Sequence, residues 1–187
     1  MKIKDIARIV VGKPISRFTE KSGNQVSILQ CKDFTDFIDF DNMEKVFINS
    51  QERVNFVEKG DILIKTMSPY NICVYDFDDP CVLGSSMFLL KVKEEYKKMY
   101  DSFFLGYFIS KNLNLNFVSS DGRKAIYKEA FIDLDIPNIN YSLQKHIGEA
   151  WVKNRSIYRI ELDLAKKNYT YNCSLLDEQF EKIRGNK

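Results

Sequence analysis

Glu95 and Lys97, downstream of Asp76, Asp78 and Asp79, come nearest to a catalytic set in this chain. An Asp…Glu-x-Lys arrangement can hold a divalent metal and place a water for phosphodiester hydrolysis. Here the Glu and Lys fall in the charged run Lys93–Lys98, past the strand that would have to fix them, and read as a solvated turn. Cys31, Cys73, Cys81 and Cys173 contain no Cys-x-x-Cys pair, and His146, the single histidine, is remote from them. Zinc needs ligands in closer pairs, so the cysteines read as ordinary, mostly buried thiols. His146 has no neighbouring nucleophile for a Ser/His or Cys/His triad. Gly-x-Gly does not occur, which removes the glycine-loop fingerprints of nucleotide cofactors. No metal and no cofactor is expected, and the sequence does not read as an enzyme.

The elements that could position other kinds of contact are clearer. A chain of 187 residues suffices for one domain with an appended element. Hydrophobic residues at 44% and aromatics at 13% can fill a core. The apolar runs Met87–Leu90 and Phe103–Ile109 fall far short of the roughly 20 residues a membrane span needs. Met1-Lys2-Ile3-Lys4-Asp5 has no signal-peptide core behind it, so a cytoplasmic protein without membrane contact is expected. Net charge is +2, small for a protein that grips phosphate unaided. Residues 141–187 hold nine Lys/Arg against six Asp/Glu, and residues 1–140 hold nineteen against twenty.

Ile3 to Val11 reads as a short helical turn into a strand, broken by Gly12-Lys13-Pro14. Val26–Cys31, Ile62–Lys65, Ile72–Tyr75, Cys81–Leu83 and Ser86–Val92 read as closely spaced strands, hence an antiparallel or mixed sheet. Residues 34–47 mix aromatics with aspartates and give no clear period. Ser68-Pro69-Tyr70 shares little with the Asp/Asn-Pro-Pro-Tyr motif of adenine methyltransferases, lacking its first residue and second proline, and reads as a proline turn. Asp101-Ser102 starts a helix with Phe104, Leu105, Phe108 and Ile109 on one stripe. Phe131–Ile136 alternates apolar and acidic residues as a half-buried strand ended by Pro137. From Ser142 a helix of about 27 residues follows, broken at Thr170–Ser174, with a last short helix near Leu175–Phe180. The expected fold is α+β: one globular domain with a mixed or antiparallel sheet, then a long coiled-coil-like helix.

In order and separation these pieces resemble one target-recognition unit of a type I restriction-modification specificity subunit. The resemblance covers Ile3 to about Lys167. It rests on Lys4–Gly12, on Gly60-Asp61-Ile62-Leu63, on Gly84-Ser85-Ser86, on Ile136-Pro137, and on Gln144 with Ile147-Gly148. Asn138–Ser142 replaces the usual proline-rich, acidic junction, and the chain carries one recognition domain and one long helix where full subunits carry two of each. The resemblance implies a DNA target-recognition domain over residues 1–140. Residues 141–187 would then serve dimerisation and methyltransferase docking.

It also implies partners: double-stranded DNA, a DNA adenine methyltransferase subunit, and a second copy of the chain. The implied homodimer seam is Leu143, Ile147, Ala150, Trp151, Asn154, Ile157, Tyr158 and Leu164. The same stripe could instead fold back on its own domain, or pair with a different half-subunit. Basic and polar loop residues suit base edges and phosphates. The candidates are Lys13, Arg17, Lys21, Asn24 and Gln25 in one loop, and Lys65, Thr66, Ser68, Tyr70 and Asn71 after the Gly-Asp strand. Ser85 and Ser86 join them in an expected hairpin, with Arg123 and Lys124 in a third loop. The alternative function is a regulatory interaction module that binds the methyltransferase, or competes for its assembly, without reading DNA.

Overall fold

Buried apolar side chains from both sheets, among them Leu29, Leu63, Leu83 and Leu89, stack two four-stranded sheets face to face. The computed structural model describes residues 1–14, 21–48, 54–113 and 125–185. By internal contacts the chain divides into Met1–Trp151 and Val152–Lys187. In the first unit, α1 (Ile3–Ile6) runs into β1 (Ala7–Val11), followed by β2 (Asn24–Leu29), β3 (Glu44–Ile48) and β4 (Phe56–Val57). Then come β5 (Ile62–Lys65), β6 (Ile72–Val74), β7 (Cys81–Leu83), β8 (Met87–Val92) and α2 (Ser102–Asn112). The last element, α3 (Tyr141–Gly185), begins in this unit.

Sheet one has the order β1-β8-β5-β6, all antiparallel. Sheet two has the order β3-β2-β7-β4 and is mixed, because β2 and β7 run parallel. Every residue of β5 is buried, as expected of a strand covered on both faces. Ile62 and Ile64 face a core with α1, α2 and residues 126–136, whereas Leu63 faces the layer between the sheets with Leu29, Leu83 and Leu89. The outer face of sheet two carries Ile28, Ile48 and Val82, with Val26, Val46 and Phe56 half-buried or nearly so around them.

Two expectations need correction. Residues 131–136 form no strand. Their alternation is real, but the partner is the N-terminal segment: the Ile3 and Lys4 amides donate to the Leu134 and Ile132 carbonyls, and the Ile136 amide donates to Met1. Exposed Asp133 pairs with Lys2 and Lys4 at 3.3 and 2.6 Å. The long helix is also not broken at Thr170–Ser174 but continues to Gly185. That stretch has no Gly or Pro, and once a helix has nucleated, residues of middling propensity cost only tenths of a kcal/mol each, about 0.7 at most.

The residues that made the sequence recognisable hold this frame together. Gly60 adopts φ +91°, a region open to glycine. Asp61, behind it, is buried; its Oδ2 accepts from the Glu58 amide at 2.8 Å and from Lys91 Nζ at 2.7 Å. Lys91 also donates to Glu58 at 2.7 Å. Burial pushes the Asp61 carboxyl above its ordinary value against the pull of that lysine, while the Lys91 hydrogen bond holds Glu58 below its own. Asp101 caps α2 by accepting from the Phe104 amide at 2.8 Å. Gln144, 2% exposed, closes the start of α3: its Oε1 accepts from the Asp101 amide at 3.1 Å, and its Nε2 donates to the Met99 and Ile139 carbonyls, both at 3.0 Å. One turn on, a methyl group at Gly148 would stand 2.5 Å from Asp101 Oδ1 and 2.9 Å from Phe103 Cβ, so α3 lies directly against the start of α2.

Candidate nucleic-acid interface

One edge of the stacked sheets gathers strand ends from both. Antiparallel register brings together the ends of β1 and β5 with the starts of β6 and β8. In sheet two the parallel β2–β7 pairing and the antiparallel β2–β3 pairing bring the ends of β2 and β7 beside the start of β3. Where the sheets cross, each ladder runs on past its strands: the Gly12 amide donates to the Met87 carbonyl at 2.9 Å beside sheet one, and the Gly84 amide to the Leu29 carbonyl at 2.8 Å beside sheet two. The crossing is so close that a methyl group on Gly12 would strike the Gly84 carbonyl.

Ser86 completes the junction. It is the residue other than glycine with positive φ among those described, at 62°. Its carbonyl accepts from the Thr66 amide at 3.1 Å and the Thr66 hydroxyl at 2.8 Å, and lies 3.4 Å from the Cys31 thiol. Such a conformation persists where its surroundings determine it, as these three contacts do. Asn71 Nδ2 donates to the Thr35 carbonyl at 2.5 Å, tying the turn after β5 to the loop after β2.

This edge unites part of the sequence-based set. Lys13 follows Gly12 and is exposed, as are Ser68 and Ser85; Thr66, Asn71, Ser86 and Tyr70 are half-buried, Tyr70 against the core. Ser85 and Ser86 do not form a hairpin turn, because β7 and β8 belong to different sheets; they are the crossing between them. Lys65 is corrected more strongly. It is the last residue of β5, 6% exposed, with its ammonium donating to the Phe34 carbonyl at 2.9 Å, so its charge anchors a loop.

Asn24 and Gln25 are also not loop residues. They open β2 opposite Ile48 and Phe47, at the far end of a six-residue strand, about 17 Å from the gathered edge. Lys21, exposed, precedes them on that side in sequence. Arg17, Arg123 and Lys124 lie outside the described residues.

Sequence reasoning passed over Gln30, Lys32 and Glu44. They share a concavity of about 530 Å³ with Pro14, Ser85 and Ser86. Gln30 Nε2 donates to Glu44 Oε2 at 2.8 Å, and Lys32 Nζ lies 3.8 Å from the same oxygen. The signal in the sequence was a polar pair directly after an apolar strand, hidden by the unclear period of residues 34–47.

The expected helix seam is divided. Ile147 and Trp151 pack against the first unit's own core, and Trp151 lies over Gly106. Leu143, Ala150, Asn154, Ile157, Tyr158 and Leu164 are exposed. Within Val152–Lys187, a second apolar series appears once the helix is continuous: Leu162, Ala165, Tyr169, Cys173, Leu176, Phe180 and Ile183, at spacings of three and four. Tyr169, Leu176, Phe180 and Ile183 are each more than 60% exposed.

Residues 1–150 match the family model of the type I restriction modification DNA specificity domain, and the chain belongs to that family. Among the described residues, no group of three or more His, Cys, Asp or Glu could hold a metal ion, and no helix is long and apolar enough to cross a membrane.

Solved structures share the fold. A chain from a study of complex assembly and conformational transition of the type I R-M system is 19% identical with a TM-score of 0.59, covering 83% of this chain and 37% of that one. The HsdS subunit from Thermoanaerobacter tengcongensis is 19% identical with a TM-score of 0.57, covering 88% and 38%. The type I S subunit from M. genitalium is 16% identical with a TM-score of 0.54, covering 87% and 41%. The aligned region therefore spans about two-fifths of those chains. No curated protein sequence matches the chain.

Proposed function

We propose that this chain selects the DNA sequence on which a type I modification complex acts, and that it works as one half of a specificity subunit. The carrying observation is the gathered edge, where Lys13, Thr66, Ser68, Asn71, Ser85 and Ser86 share one side of a domain of the specificity family. Such groups contact phosphates and base edges, and the rigid sheet beneath holds them in register. A partner methyltransferase supplies the chemistry by flipping an adenine out of the stack. With a net charge of +2, the chain leaves much of the phosphate neutralisation to that partner.

In this reading α3 provides the docking surface for the methyltransferase and pairs with a second copy. The series from Leu162 to Ile183, in which Tyr169, Leu176, Phe180 and Ile183 are exposed, extends the seam beyond Leu164. Twofold pairing would place two identical readers on two half-sites related by symmetry.

DNA affinity measured with and without the methyltransferase subunit tests the reading, with light scattering for mass. Sequence-dependent binding in the joint complex, and a mass of about twice 21.9 kDa that falls on Ile157→Asp plus Leu176→Asp, are the expected results. A tight complex with methyltransferase that ignores DNA sequence would favour the regulatory module instead, which the small net charge also suits.

A further inference from the structure

Building on that reading, we infer that Gln30, Lys32 and Glu44 are specificity determinants: they read base edges in the groove whose far wall is Ser85–Ser86. The groove encloses about 530 Å³ and sits on the gathered edge. Its turn is fixed before any ligand arrives. The Gln30 amide donates to Asp33 Oδ2 at 2.9 Å, the Asp33 amide returns a bond to the Gln30 carbonyl at 3.0 Å, and Asp33 is buried. The Cys31 thiol, 3.4 Å from the Ser86 carbonyl, joins the two walls.

The chemistry of the rim distinguishes base reading from phosphate holding. Lys32 and Glu44 bring one positive and one negative charge, both more than half exposed, so the rim offers no net attraction to a phosphate chain. A carboxylate among phosphates is unfavourable; against base edges it is useful, because cytosine and adenine present N–H donors. An amide suits the paired donor and acceptor of adenine, and an ammonium suits the two acceptors of guanine. Glu44 holds Gln30 through a 2.8 Å hydrogen bond and fixes which way its amide faces. These residues therefore govern which sequence is chosen more than how strongly DNA is held.

The test uses the full chain in complex with its methyltransferase, selecting from a randomised duplex library, for the wild type and for Gln30→Ala, Lys32→Ala and Glu44→Gln. Thermal melts confirm that each is folded. The inference expects about tenfold or greater loss of preference at one or two base positions. For Gln30→Ala and Glu44→Gln, the salt dependence of binding should stay that of the wild type. If the wild type selects a defined sequence and all three folded variants select it equally sharply, the inference is overturned. Weakening that is uniform across sequences also overturns it, since that marks phosphate contacts. A wild-type complex with no preference at all would instead remove the DNA-reading function, and the inference with it.

Discussion

Sheet one and sheet two are built from similar strands yet live in different surroundings. Sheet one is covered on both faces, by sheet two on one side and by α2 with residues 126–136 on the other. Sheet two is covered on one face, and its other face keeps Val26, Val46 and Phe56 partly in solvent. The residues that made the sequence recognisable concentrate in and around sheet one: Gly60-Asp61 at its central strand, Gln144 and Gly148 at the helix that buttresses it. Gln30, Lys32 and Glu44 belong to sheet two or the turn that follows β2. Recognisable motifs therefore mark the frame, and the proposed specificity residues lie on the sheet that is covered on one face.

Substitution across the two sheets should divide accordingly. Leu63→Ala, at a fully buried position between the sheets, is expected to cost about 3 kcal/mol and lower Tm by about 10 °C in a thermal melt. Val46→Ala on the outer face of sheet two should cost less than about 1 kcal/mol. Equal costs would break the contrast.

Gln144→Ala comes next, at about 2–3 kcal/mol in a denaturant titration, because it strands the Asp101 amide and two carbonyls at the start of α3. Lys91→Met should cost on the order of 2 kcal/mol at neutral pH by removing the donor to Asp61 and Glu58. Its pH dependence follows from the shifts. Glu58 is held below its ordinary 4.5, so its contribution is present above that pH and fades as pH falls through the lowered value. Burial pulls Lys91 down, but its bonds to Asp61 and Glu58 win and raise it above 10.5, so its contribution is full at neutral pH and fades as pH rises through the raised value. The gap between wild type and variant, followed by melts across pH, should be widest between those limits. Asp61, raised by burial, blunts the acid side.

The smallest effect is chemical. Cys81, buried and with its thiol pushed up to about 11 by burial, should resist a thiol reagent until the protein unfolds. Cys31, half-buried at the groove, should be labelled in the native protein and protected in the complex with methyltransferase and DNA. Equal labelling rates in mass spectrometry would deny the difference between interior and groove.

Local patterns made much of this frame legible. The Ile62–Lys65 strand, the Asp101 cap and the start of the long helix follow from alternation, capping chemistry and helical spacing. What depended on a distant partner was not legible. Residues 131–136 have a strand's alternation but bond to the chain's first residues instead of a ladder. Lys65 reads as a surface cation until Phe34, thirty-one residues away, supplies the carbonyl that buries it. The Ser85–Ser86 crossing looks like a hairpin because spacing alone cannot tell one sheet from two. Gln30 and Glu44, fourteen residues apart, become a pair through the β2–β3 register.

The most direct test of the central claim is a genome-wide map of adenine methylation laid down by the partner methyltransferase, with and without this chain. The DNA-selecting role predicts methylation confined to one defined sequence, and only when the chain is present. Methylation that is the same in its absence, or that follows no sequence in its presence, would contradict that role.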